Sequence, residues 1–360
     1  MKANKGEWSE FYAFLKILND KKLFAADKNL AILQDKFFVF QKVIREESAQ
    51  SAHIYDLTKS DTEIFITDLQ GELIKVFEDK ELNSKILKIF NKIKDESRTT
   101  FEIPEAEELM GSLLCSKIKA ANSKKADIVA IIFDRISATM PELGFSVKSM
   151  IGGSSTLLNA GKTTNFIFKV EGFGGDVDVL NAIVGKSKIQ DRLKALFDAG
   201  CKLTFERVES DTFEANLRKI DTVFPLFVSQ MLVDFFSKKA STVKALTESL
   251  SINPELKKKY GLSSSDYEYK IKNFLDSVAL GMVPSKVWEG FTQAHGGYIV
   301  VKKDGQVVCY HLYNRDEFRS YLYENTKFES ASSTRHRYGS LYLQDGTLYF
   351  NLNLQIRFIK

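Results

Sequence analysis

Two short apolar runs constrain this chain more than any other feature. ADIVAIIFD (126–134) and GFSVKSMI (144–151) lie close together and are rich in β-branched and aromatic residues. Short runs that are apolar throughout, rather than alternating, suit strands buried on both faces, and such strands need helices to cover them. The surrounding periodicities supply both kinds of element. Residues 6–19, 81–94, 104–121 and most of 216–290 carry helical spacing, the last interrupted around INPELKKKYG (252–261). Residues 36–44 and 62–77 read as strands, the second stretch turning at Gln70-Gly71. The last seventy residues hold two hairpins, YIVVKKDGQVVCYHLY and GSLYLQDGTLYFNLNLQIRF, each turning at Asp-Gly. The expectation is an α/β chain built on a mixed sheet.

A chain of 360 residues with 44% hydrophobic content can bury one large core or two medium ones. No repeat or low-complexity linker divides it, so one body over 1–360 is expected. The net charge of +4 permits a polyanionic partner without demanding one. Cys115, Cys201 and Cys309 are far apart, as are His53, His295, His311 and His336, which argues against structural zinc and a disulfide framework. The start, MKANKGEWSE, has no apolar leader, and no apolar run reaches the length of a membrane span. A soluble, reducing, cytoplasmic setting is the default expectation.

The chemistry concentrates in three places. On the first helix, Trp8, Phe11, Phe14, Leu15, Ile17 and Leu18 form a wide apolar arc. Glu10 shares a stripe with Phe14 and Ile17, and Glu7 shares one with Phe11, Phe14 and Leu18, so both acids are expected to point inward. An inward carboxylate needs a cation or hydrogen-bond donors. Asp127 opens the first buried strand, and Lys148 lies near the end of the next. If these strands pair, a helical Glu, a strand Asp and a strand Lys meet at one sheet end. Hard oxygen ligands without His or Cys suit Mg²⁺, which polarises a phosphodiester and activates water.

These residues also carry a resemblance. KGEWSE (5–10) is similar to the K-G-x-x-x-E helix motif of the PD-(D/E)xK nuclease superfamily, and ADI…GFSVKS resembles its D…(D/E)xK core. Asp127 takes the place of the aspartate and Lys148 that of the lysine, while Ser146 stands where the pattern has an acid. Glu10 is then expected to supply the missing negative charge, the Val147 carbonyl to be a further metal ligand, and Ser146 to reach the metal only through a water. NKGEWSEFY, GFSVKSMIGGSSTLLNAGKTTNFIFKV and YFNLNLQIRF together resemble the HpaII family of type II restriction endonucleases, from residue 4 to the C-terminus. That resemblance implies a restriction-endonuclease-like α/β core flanked by helices, with the C-terminal hairpin region added to it. Core elements would lie at roughly 4–20 and 120–215, elaborations at 36–100 and 216–360. It implies Mg²⁺-dependent cleavage of double-stranded DNA at CCGG, and a cognate DNA methyltransferase as system partner. A palindromic target suggests a homodimer.

DNA contacts are expected from Lys162, Thr163 and Asn165 in the Ser/Thr/Gly-rich block after the lysine strand. That block is no phosphate-binding loop of the G-x-x-x-x-G-K-T type, because Thr156 occupies the first glycine position. Arg335 and Arg337 in STRHRYG, and Gln355 and Arg357 on the polar side of an alternating final strand, are further candidates; a merely solvated surface is the plainer account of each. A Ser146/Lys148 nucleophile pair is disfavoured, since Ser146 sits inside an apolar run rather than on an exposed turn. Two rivals to catalysis remain: a silent duplex-DNA-binding protein on a degenerate nuclease core, and an assembly protein with a buried ionic cluster.

Overall fold

The computed structural model describes residues 1–121, 126–133, 138–292 and 294–359. In chain order it begins with α1 (Lys5–Asp20), β1 (Lys22–Ala26), β2 (Ile32–Ser48), β3 (Ser51–Asp56), β4 (Glu63–Thr67), β5 (Leu73–Glu78), α2 (Leu82–Asp95) and α3 (Pro104–Ser112). Then come β6 (Ile128–Phe133), β7 (Glu142–Ser149), β8 (Thr156–Leu158), β9 (Asn165–Glu171), α4 (Val177–Asn181), α5 (Lys188–Asp198) and β10 (Lys202–Val208). A helical stretch follows: α6 (Asp211–Ile220), α7 (Phe224–Phe236), α8 (Val243–Ile252), α9 (Pro254–Tyr260) and α10 (Ser264–Ala279). The chain ends with β11 (Gly297–Val301), β12 (Val307–His311), α11 (Arg315–Glu324), β13 (Thr326–Phe328), α12 (Ser333–His336), β14 (Leu341–Gln344), β15 (Thr347–Asn353) and β16 (Ile356–Phe358). Asp134, the end of the apolar run read at 126–134, lies outside the described residues.

The chain divides into two compact units, 1–155 with 292–321, and 156–291 with 322–359. In the first, nine strands run in the order β1-β12-β11-β7-β6-β2-β3-β4-β5, and β1 also pairs with β2. That extra pairing closes β1, β12, β11, β7, β6 and β2 into a six-stranded ring, with β3, β4 and β5 extending from it. Closure is possible because β2 is long: its first part pairs with β1 and its later part with β3, while β6 lies along the other edge. The sheet is mixed, as expected, with β7–β11 and β1–β12 parallel and its other pairs antiparallel. An open sheet flanked by helices does not describe it, because the edge that β1 and β2 would expose is joined. Gly297 (φ +108°) is required where β11 meets β12: a Cβ there would collide with the Tyr310 carbonyl oxygen.

The main core of this unit buries Trp8, Phe11, Phe14 and Leu15 of α1 with Ile89 of α2, Phe145 and Val147 of β7, and Ile299 of β11. Because side chains alternate along a strand, Phe145 and Val147 enter that core while Ser146 and Lys148 take the opposite face. The helix read at 104–121 stops at Ser112, and residues 113–121 form no regular element.

The second unit holds a four-stranded sheet, β10-β9-β15-β14, a three-stranded sheet, β13-β16-β8, and the helices α4–α10 and α12. The β14–β15 hairpin turns at Asp345 (φ 50°) and Gly346 (φ 74°), the paired left-handed conformation that matches strand twist. INPELKKKYG breaks the helical stretch only partly, since it contains α9, capped by Asn253 and closed by Gly261. The alternation read as one final strand is two strands: β15 pairs with β9, whereas β16 pairs with β13 and β8. Among the described residues, no helix is long and apolar enough to cross a membrane.

Candidate active site

The site is assembled where α1 meets β7. Asn4 caps α1 by accepting from the Glu7 amide (3.0 Å), while the Glu7 carboxylate accepts from the Asn4 amide (2.9 Å). Glu7 therefore serves the helix cap and does not point into the core as its stripe suggested. Two residues on, the Ser9 hydroxyl, fully buried, donates to Ser149 Oγ of β7 (2.8 Å). This latch places Glu10, whose side chain is 19% exposed, beside Asp127, which is 18% exposed.

Asp127 sits one residue before β6, and its amide donates to the Phe145 carbonyl (2.9 Å), so the expected strand pairing holds. Its Oδ2 accepts from the Val147 amide (2.8 Å) and from Ser146 Oγ (3.2 Å). Ser146 thus orients the aspartate instead of adding a charge. Lys148 is partly buried, with Nζ 5.5 Å from the Tyr298 ring centroid. Burial pushes its ammonium below the ordinary lysine range, opposed by the charges of Asp127 and Glu10.

A lysine that sequence reasoning missed completes the cluster. Lys119 Nζ lies 3.4 Å from Glu10 Oε1 and 3.3 Å from Asp127 Oδ1, so one cation spans both acids. The Lys119 side chain itself is 56% exposed. Its place is set by a buried ion pair, Arg45 Nε to Glu47 Oε1 (2.8 Å). Arg45 donates to the carbonyls of Lys117 and Ile118, and Glu47 accepts from the Ser116 amide (2.7 Å) and hydroxyl (2.6 Å). The pair clamps 116–118 and delivers the next residue over the carboxylates. A recess of about 10 Å³, lined by Glu10, Lys119, Asp127 and Arg45 among others, adjoins them. That is room for one water-sized guest.

The electrostatics are those of a carboxylate pair in want of a cation. Burial, and then the Asp127 charge, raise Glu10 to about 7, against the pull of Lys119 and Lys148. For Lys119 burial works downward, but the two acids outweigh it and raise its pKa. Among the described residues no group of three or more His, Cys, Asp or Glu gathers to hold a metal. Two carboxylates facing one position nevertheless fit Mg²⁺, which is held through one or two carboxylates and completes its shell with water and phosphate. The Lys119 ammonium stands at that position as the resident cation.

The metal-site candidates Glu10, Asp127, Ser146, Val147 and Lys148 all fall in the first unit, and Val147 faces Asp127 through its amide. The DNA-contact candidates all fall in the second. Lys162, Arg335 and Arg337 are exposed, Thr163 and Gln355 half-buried. Asn165 is fully buried, donating to Glu209 (2.6 Å) and the His336 carbonyl (3.0 Å) and accepting from Asn353 (2.7 Å), so its amide is committed to the fold. Arg357 is ion-paired with Glu329 (3.0 Å).

Known proteins resolve the class of chemistry. The family model described as HpaII restriction endonuclease matches residues 4–358. The chain belongs to the HpaII restriction endonuclease family. Among curated proteins, the type II restriction enzyme HpaII of Haemophilus parainfluenzae is 37% identical over 367 aligned positions, covering 99% of this chain and 98% of that protein. No solved structure matches. As a member of the HpaII family the chain is an endonuclease of the restriction class, a hydrolase whose substrate is DNA.

Proposed function

We propose that this chain cleaves double-stranded DNA at CCGG in a Mg²⁺-dependent reaction, with Glu10 and Asp127 holding the ion and Lys148 serving the attacking water. Type II restriction enzymes generally use divalent metal ions. The observation that carries the reading is the single cation, Lys119 Nζ, shared by Glu10 and Asp127 at 3.4 and 3.3 Å. Asp127, Ser146-Val147-Lys148 and Glu10 are assigned the positions of the PD-(D/E)xK pattern, with the Val147 carbonyl as a further ligand. When bound, Mg²⁺ polarises the phosphodiester and lowers the pKa of water. Ser146 Oγ and the Val147 amide fix the rotamer of Asp127 through its Oδ2, leaving Oδ1 toward Lys119. Lys148 orients the water and offsets charge on the pentavalent transition state. Displacement in line at phosphorus leaves 5′-phosphate and 3′-hydroxyl ends.

We further assign duplex contact to Lys162, Thr163, Arg335, Arg337, Gln355 and Arg357, and a homodimer to match a palindromic target. The two units would act as one restriction-endonuclease domain, in the cytoplasm, beside a cognate methyltransferase. The rival is a silent duplex binder, favoured by Ser146 standing where an acid would add a third charge. Digestion of a plasmid of known sequence with Mg²⁺ decides between them. Discrete fragments ending at CCGG, lost in Asp127→Ala and Lys148→Ala, are expected. Intact DNA with salt-sensitive binding retained refutes catalysis, and fragments ending elsewhere refute the target.

A further inference from the structure

A cavity of about 590 Å³ lies wholly within the second unit, against the β10-β9-β15-β14 sheet. Four cations line it, Lys188, Arg192, Arg207 and Arg337, against one carboxylate, Glu209. Glu209 is already engaged by the Asn165 amide (2.6 Å).

Arg192 is the unusual member. It is 5% exposed and makes no ion pair among the described residues. Its Nη1 donates to the Gly339 carbonyl (2.5 Å) and Ser340 Oγ (3.0 Å), and its Nη2 to the carbonyls of Asn181 and Ile183 (2.8 Å). Its Nε is buried with no hydrogen-bond partner. Burial lowers its pKa, with no carboxylate to offset the cost. A buried guanidinium held only by neutral oxygens carries an uncompensated charge, and a buried N–H without an acceptor adds to that cost. Arg207 and Arg337 are exposed at the same cavity. Positive charge is therefore both inside the wall and at the mouth.

We propose that this cavity is a phosphate subsite: it seats one backbone phosphodiester of duplex DNA, with Arg207 and Arg337 as the contacting cations and Arg192 as the buried charge behind them. This rests on the nuclease reading and extends it, because none of the metal-site residues lies in this unit. The subsite is independent of sequence, since phosphate oxygens carry no base identity.

The test uses the full chain, EDTA to prevent cleavage, and two fluorescein-labelled duplexes, one containing CCGG and one not. Binding is followed by anisotropy across a KCl series for the native protein, Arg207→Gln and Arg337→Gln, both exposed positions, with a native-like melting temperature as the check that each variant folds. Each phosphate contact contributes about 0.9 to the slope of log K against log salt, which is roughly five- to ten-fold in affinity near 0.1 M. Each variant is expected to lose about that slope and that affinity on both duplexes alike. Unchanged slope and affinity overturn the proposal. Loss confined to the CCGG duplex also overturns it, since that is base reading. Inorganic phosphate raising the melting temperature of the native protein but not of Arg207→Gln, with DNA binding unaltered, assigns the cavity to a free anion and overturns it too. If the native protein binds neither duplex here and cuts none in Mg²⁺, the nuclease reading falls with the subsite; if it binds here and cuts in Mg²⁺ while both variants match its binding, only the subsite falls.

Discussion

Replacing Lys119 with methionine is expected to tighten binding of a divalent ion. In the metal-free protein the Lys119 ammonium spans Glu10 and Asp127, at 3.4 and 3.3 Å. An incoming ion must displace it. The side chain is 56% exposed, so bare Coulomb energies at these distances overstate the contacts. Measured exposed ion pairs are worth about 0.2–1 kcal/mol each, so two contacts amount to about 0.4–2 kcal/mol. Removing that competitor should lower the dissociation constant by roughly two- to thirty-fold. A proton can take over the same role, because Glu10 sits at about 7 and loses a cation that holds it down. The gain is therefore largest near pH 9, where Glu10 is ionised in either protein, and shrinks toward neutrality. The assay is Mn²⁺ titration followed by the electron paramagnetic signal of the free ion, without DNA, with Asp127→Asn as the non-binding control. Equal or weaker Mn²⁺ binding by Lys119→Met at high pH refutes the reasoning and leaves Lys119 as a companion of the ion instead of its competitor.

Two further outcomes follow from the same geometry. Glu10 has a raised pKa, so the folded protein holds its proton between about 4.5 and 7 while the unfolded chain has released it. Stability of the metal-free protein should thus fall as pH rises through that window and stay reduced above it, by roughly 1–3 kcal/mol. Glu10→Gln should abolish this loss, melting higher than the native protein near pH 8 yet binding Mn²⁺ more weakly; a native melting temperature flat across the window contradicts it. Arg45→Met leaves Glu47 buried and unpaired, which should destabilise by about 3–5 kcal/mol, whereas Arg45→Met with Glu47→Leu should recover most of that. Urea unfolding of the two variants checks this, and equal losses would show that the ion pair is not the clamp.

The legible parts of the site are those where neighbouring residues supply the information. Asp127 and Lys148 flank two buried runs close in sequence, and a short connection makes antiparallel pairing the natural outcome, as Ile128 opposite Phe145 bears out. Glu10 follows from helical spacing. Glu7 is misread by the same spacing, because a helical wheel treats every position as mid-helix, whereas Asn4 and Glu7 use the free amides of the first turn. Lys119 is indistinguishable from other lysines in SKIKAANSKK; what selects it is the Arg45–Glu47 clamp, more than seventy positions upstream. Asn351 and Asn353 alternate with apolar neighbours as a solvated strand would, yet both are buried and bond the backbone at Arg337 and Gly161. Alternation describes an extended chain, not which sheet it joins. The ring closure is of the same kind, resting on Phe24 opposite Val308.

That closure has a consequence for how the protein comes into being. On the side away from β6, β7 pairs with β11, and the ring needs β1 to meet β12. A chain growing from its N-terminus holds Glu10, Asp127 and Lys148 long before residues 297–311 exist to frame them. Such distant pairings make folding slow, because the entropy of closing a long loop is lost before any contact rewards it. The candidate site is therefore among the last parts to set, and a nascent chain on the ribosome carries these three side chains without the scaffold that aligns them.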